Sequence, residues 1–125
     1  MRLTAEEFEQ LVEEALAELP PAFAEKMNNV AVLVRPWPTS SDLREAGVPA
    51  GSTLLGLYHG IPLTVRSSAY NLVAPDTITL FQCPIERVAG VAPAAVRAQV
   101  RRTVLHELAH HFGIDDDRLR ELGAY

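Results

Sequence analysis

The chain has 125 residues, 48% of them hydrophobic and 22% charged, with a net charge of −5. That is enough chain to bury a core without staples, and a single domain over residues 1–125 is expected. The acidic balance excludes nucleic acid as an expected partner, because phosphates demand a basic face. No apolar run approaches membrane length, and glutamates stud the segment after Met1, so neither a membrane partner nor a signal peptide is expected. Cys83 is the only cysteine, so no internal disulfide can form and the cytoplasm is the expected compartment.

Thr4 and Glu7 have the spacing of a capping box, and Leu3 can staple onto Phe8. Phe8, Leu11, Val12, Ala15, Leu16 and Leu19 then follow a helical period, with Glu6, Glu9, Glu13 and Glu14 mostly on the opposite, solvated face. Pro20 and Pro21 stop this helix. A short second helix is expected over residues 21–27, with Phe23 and Met27 turned inward. Residues 30–34 are continuously apolar and rich in valine, which predicts a buried strand ended by Arg35, Pro36, Trp37 and Pro38. Residues 39–52 hold Ser, Asp, Gly and Pro without periodicity and are expected to form a loop. Residues 54–58 predict a second strand, with His59 and Gly60 as a turn or bulge and residues 61–65 as its continuation or partner. A second loop is expected over 66–76. Thr77, Thr79 and Phe81 alternate with Ile78, Leu80 and Gln82, the period of a half-buried strand over 77–83, with Pro84 ending it.

Ala92 and Pro93 start the longest predicted helix, proline being suited to a first turn. Val96, Val100, Val104, Leu108 and Phe112 give it an apolar stripe, and His106 and His110 lie on the stripe's flank. Arg97, Arg101 and Arg102 are the densest basic cluster; they read as the solvated side of this helix, with contact to an acidic partner as the alternative. The ligand-type residues fall in the C-terminal half, where the helix dipole favours a cation. A closing helix is expected over 115–123, with Leu119 and Leu122 packing back.

The sequence His106-Glu107-Leu108-Ala109-His110 carries the chemistry. Residues four apart stack one turn apart on a helical face, so the two imidazoles can grip one ion, with Glu107 beside them as a general base for water. Gly113 follows where the helix can stop. Asp116 lies three residues further, where a returning chain can bring a third ligand to the metal. Three ligands and one open position describe a catalytic zinc site. The full pattern, His-Glu-x-x-His-x-x-Gly-x-x-Asp, resembles the Asp-zincin signature. Its flanks (His111, Phe112, Ile114, Arg118, Leu119) resemble small bacterial zincin-like metallopeptidases, and the segments 54–63 and 77–81 are weakly similar to the same family.

The resemblance implies an α+β zincin-like domain, a small mixed sheet backed by helices. It implies one zinc ion held by His106, His110 and Asp116, with Glu107 as the base. Hydrolysis of peptide bonds in short or unfolded chains is the function expected, and a non-catalytic module binding metal or peptide is the alternative. An extended substrate can pair with an edge strand; the strand over 77–83 is the candidate, or else an ordinary sheet strand. Asp115 is the fallback ligand, while Asp115 and Asp117 otherwise cap the last helix. His111 reads as a surface or ligand-supporting residue, Tyr58 and His59 as structural or cleft-lining, and Cys83 as a buried hydrophobe. A transition-state donor stays open among His111, Arg118 and Tyr125. No methionine turn follows the third ligand as in metzincins. The far wall of the cleft is therefore expected to be thin, absent or supplied by another subunit.

Overall fold

The Thr4 hydroxyl accepts a hydrogen bond from the Glu7 N–H at 3.1 Å, and the Thr4 N–H donates to Glu7 Oε1 at 2.8 Å. The reciprocal cap starts helix α1, Ala5–Ala17, which buries Phe8, Leu11, Val12 and Ala15 as its period requires. The computed structural model describes residues 2–49, 51–60 and 75–121. Pro21 opens α2, Pro21–Lys26, which turns Phe23 fully into the core.

Among the described residues, three strands follow the mixed pattern expected of an α+β fold. β1, Val30–Arg35, runs parallel to β3, Asp76–Phe81, with Val30 opposite Asp76 and Arg35 opposite Phe81. β2, Gly56–His59, runs antiparallel to the other side of β3, with Gly56 opposite Leu80 and His59 opposite Thr77. The order β1-β3-β2 puts β3 in the middle of the sheet.

That order corrects two expectations. β1 is a side strand rather than a fully buried one: Val30, Val32 and Val34 pack on the core, while Leu33 is 43% exposed. β3 is central, so both its flanks are engaged by β1 and β2 and it offers no free edge to a substrate. Its alternation is as expected, with Ile78 and Leu80 fully buried.

Two helices lie where none is expected. Within 39–52, α3 spans Ser40–Ala46; Thr39 and Asp42 cap it reciprocally, and Gly47 ends it at φ 71°, the left-handed conformation that glycine adopts without strain. Directly after β3, α4 spans Gln82–Ala89 with Pro84 in its first turn, where a missing N–H costs nothing. The expected strand therefore ends at Phe81 instead of 83. Cys83 is buried, as its reading as a small hydrophobe requires.

α5, Pro93–Phe112, is the spine of the molecule and packs on α1, α4, β2 and β3. Val96, Val100, Val104 and Leu108 are fully buried, but Phe112, the last residue of the helix, is 44% exposed; the Lys26 ammonium covers its ring at 4.5 Å. Gly113, at φ 70°, ends α5: its N–H donates to the His110 carbonyl and the Ile114 N–H to the Ala109 carbonyl, the Schellman arrangement. The chain then turns into α6, Asp116–Glu121, which buries Leu119. The expected segment 61–65, residues 66–74 of the loop expected over 66–76, Leu122 and the donor candidate Tyr125 lie outside the described residues. No helix among the described residues is long and apolar enough to cross a membrane.

Gly56 lets β2 approach α5. A Cβ built on it would sit 2.8 Å from Thr103 Cγ2 and 3.3 Å from the Thr79 carbonyl oxygen. Threonine on a helix has little rotamer freedom to retreat, and the carbonyl is backbone. Gly56→Ala is therefore expected to cost about 1–3 kcal/mol, the usual range for overpacking. Urea unfolding measures it, and an unchanged midpoint would mean that β2 does not press on α5 in this way.

Candidate active site

α5 carries His106, Glu107 and His110 over a single turn and a little more, so the helix itself sets their spacing. His106 is half-buried with its Nε2 shielded from solvent, Glu107 is half-buried, and His110 is exposed. A cleft of about 330 Å³ opens beside His106 and Glu107, while His110 does not line it. One wall is the segment leading into β2, Thr53, Leu54, Leu55 and Gly56; the other is the α5 face of Gln99, Arg102, Thr103, His106 and Glu107. A larger hollow, about 470 Å³, lies between α1 and β1, but its walls are glutamates, aliphatic side chains and one arginine, with no imidazole.

The best-fixed group is Glu107. Its Oε1 accepts a hydrogen bond from the Tyr58 backbone N–H at 3.0 Å, across 49 positions of sequence. β2 thus borders the site, the role expected of the strand that proves central. Desolvation by burial raises the Glu107 carboxyl above the usual carboxylate range; the Tyr58 N–H and the charge on His110 oppose that rise.

Tyr58 is itself braced. Its hydroxyl donates to Asp76 Oδ2 at 2.6 Å, a charge-assisted bond, and the His111 ring stacks on it with centroids 3.9 Å apart at 17°. His111 Nε2 lies 4.0 Å from the same Asp76 oxygen. One tyrosine therefore ties the base to the sheet and the last turn of α5 to the start of β3. The sequence marks neither this use of the Tyr58 main chain nor the part played by Asp76, because both depend on contacts distant along the chain. His59, by contrast, pairs with Glu45 of α3 at 2.9 Å.

The three aspartates after Gly113 divide their work. Asp115 Oδ1 caps α6 by accepting from the Arg118 N–H at 2.9 Å, and Asp117 pairs with Arg120 at 3.4 Å. Asp116, the first residue of α6, is exposed, and its carboxylate makes no hydrogen bond or ion pair with the described residues. It is not brought together with the two histidines: among the described residues, no three His, Cys, Asp or Glu side chains converge as a metal site would require. The donor chemistry of His106 and His110 fits zinc, two imidazoles one helical turn apart. The third donor is not assembled with them.

The zincin-like metallopeptidase family matches residues 27–124, which takes in the sheet, the cleft and all of α5. No curated protein matches the chain. Since the family match runs over well more than half of the sequence, the chain belongs to the zincin-like metallopeptidases.

Proposed function

We propose that this chain is a zinc-dependent peptidase for short or unfolded chains, with His106, His110 and Asp116 as the metal ligands and Glu107 as the general base. The observation that carries the proposal is the state of Glu107: a carboxylate on the wall of an open cleft, beside two imidazoles, held by one backbone N–H. A base works best when its pKa lies near the working pH, and desolvation moves this carboxyl in that direction. Zinc, when bound, supplies Lewis acidity, acidifying water and polarising a carbonyl.

The chain's own groups do the rest. The Tyr58 N–H keeps one Glu107 oxygen engaged, which orients the carboxylate and leaves its other oxygen to take a proton from water and return it to the leaving amine. Leu54 and Leu55 give the opposite wall an apolar surface for a substrate side chain. A cleft of about 330 Å³ accepts a few residues of extended chain and no folded domain, which supports short or unfolded substrates.

The purified protein is expected to hold close to one zinc per chain and to cleave an unfolded protein substrate. A chelator should stop cleavage, and added zinc should restore it. A protein that holds zinc and leaves a broad library of unfolded chains intact would instead be a binding module.

A further inference from the structure

Arg102 lies on the cleft wall four residues before His106 and five before Glu107. Its neighbours hold it in place. The guanidinium donates from one terminal nitrogen to Gln99 Oε1 at 3.1 Å, and Gln99 Nε2 donates to Thr103 Oγ1 at 3.2 Å. Gln99 and Thr103 are both more than nine-tenths buried, so two costly buried polar side chains serve to aim an exposed cation. Three other arginines of the helices are spent differently. Arg97 pairs with Glu14 and Glu18, Arg118 with Glu121, and Arg120 with Asp117. Among the described residues, no carboxylate pairs with Arg102.

We propose that Arg102, aimed by Gln99 and Thr103, forms a carboxylate-recognising subsite of the cleft, so that favoured substrates carry a carboxylate one or two residues from the bond attacked. The proposal rests on the peptidase reading above and names its substrate class. The guanidinium offers parallel N–H donors that match a carboxylate, whereas the rest of the cleft offers mainly apolar and neutral surface. Four residues of helix span about 6 Å and an extended peptide advances about 3.3 Å per residue, which sets the distance from the reacting carbonyl. The carboxylate can be the C-terminus of a peptide or the side chain of Asp or Glu.

Paired peptides test this. One pair differs only in a free or amidated C-terminus; the other exchanges Asp or Glu for Asn or Gln within two residues of the scissile bond. The zinc-loaded protein is expected to favour the carboxylate member of one pair by about 10- to 100-fold in kcat/KM, mainly through KM. Arg102→Gln should erase that preference with an unchanged melting temperature, and Arg102→Lys, which keeps the charge and loses the fork, should retain part of it. The pair that responds identifies the source of the carboxylate. Binding of the same peptides to zinc-loaded Glu107→Gln protein, by calorimetry, should show the same order without turnover. Equal handling of both members of both pairs by the parent overturns the subsite, as does a preference that survives Arg102→Gln. A parent that cleaves nothing, while Glu107→Gln protein still binds the carboxylate peptides better, sinks the peptidase reading and leaves the subsite standing.

Discussion

Glu107→Gln is expected to lower peptide hydrolysis by about 10²- to 10⁴-fold, the usual contribution of a positioned general base, while leaving zinc content unchanged. The amide has the shape of the carboxylate and keeps an oxygen that can accept from the Tyr58 N–H, so the hydrogen bond at 3.0 Å can persist. What it loses is the ability to take up a proton. Hydrolysis within about tenfold of the parent would move the role of base to another group.

The same substitution has a second expected result, in the metal-free protein. Burial raises the folded-state pKa of Glu107, so the fold favours its protonated form. The stabilisation from that preference is fully present below the unfolded-state value, about 4.3, and is lost as pH rises through the folded-state value. The parent should therefore lose stability relative to Glu107→Gln as pH rises over that window. Urea melts of the two chelated proteins from about pH 4 to about pH 8 measure the difference; parallel curves would contradict the desolvation.

His106→Ala is expected to abolish zinc binding and, with it, the rise in melting temperature that zinc gives the parent. A ligand that binds only the folded state at about 100 times its Kd adds about 2.7 kcal/mol, all of which this variant should forfeit. Asp116→Ala is the sharper comparison, because Asp116 stands exposed at the head of α6 and apart from the histidines. Loss of a partner that merely supports a ligand costs about 10- to 100-fold in metal affinity, so loss of a true third ligand should exceed that range. Zinc titration monitored by calorimetry decides the matter. Parent-like affinity in Asp116→Ala removes it from the ligand set. Asp115, committed to capping α6, then becomes the residue to replace.

Local signals were legible wherever the structure depends on neighbours in the chain. The Thr4–Glu7 cap, the proline starts of α2 and α5, and the glycine stop after Phe112 all act within a few residues. α3 shows where such reading fell short. Its Thr39–Asp42 capping box is present in the sequence, but no α3 residue is fully buried, so no apolar period accompanied the cap. β1 misled in the opposite sense. A continuous apolar run predicts burial on both faces, yet its place at the side of the sheet leaves Leu33 exposed.

By itself, the sequence determined that two imidazoles and a carboxylate share one helical turn, because a period of 3.6 residues is a property of the local backbone. It could not decide which strand borders the site. Val30 meets Asp76, and Tyr58 meets Glu107, only once the chain has closed on itself. Nor could it tell Arg102 from Arg97 on the same helix: one lines the cleft and the other is neutralised by α1. Burial, and with it the altered proton affinity of Glu107, is set by which distant segments displace water from a side chain, so only the tertiary structure could decide it.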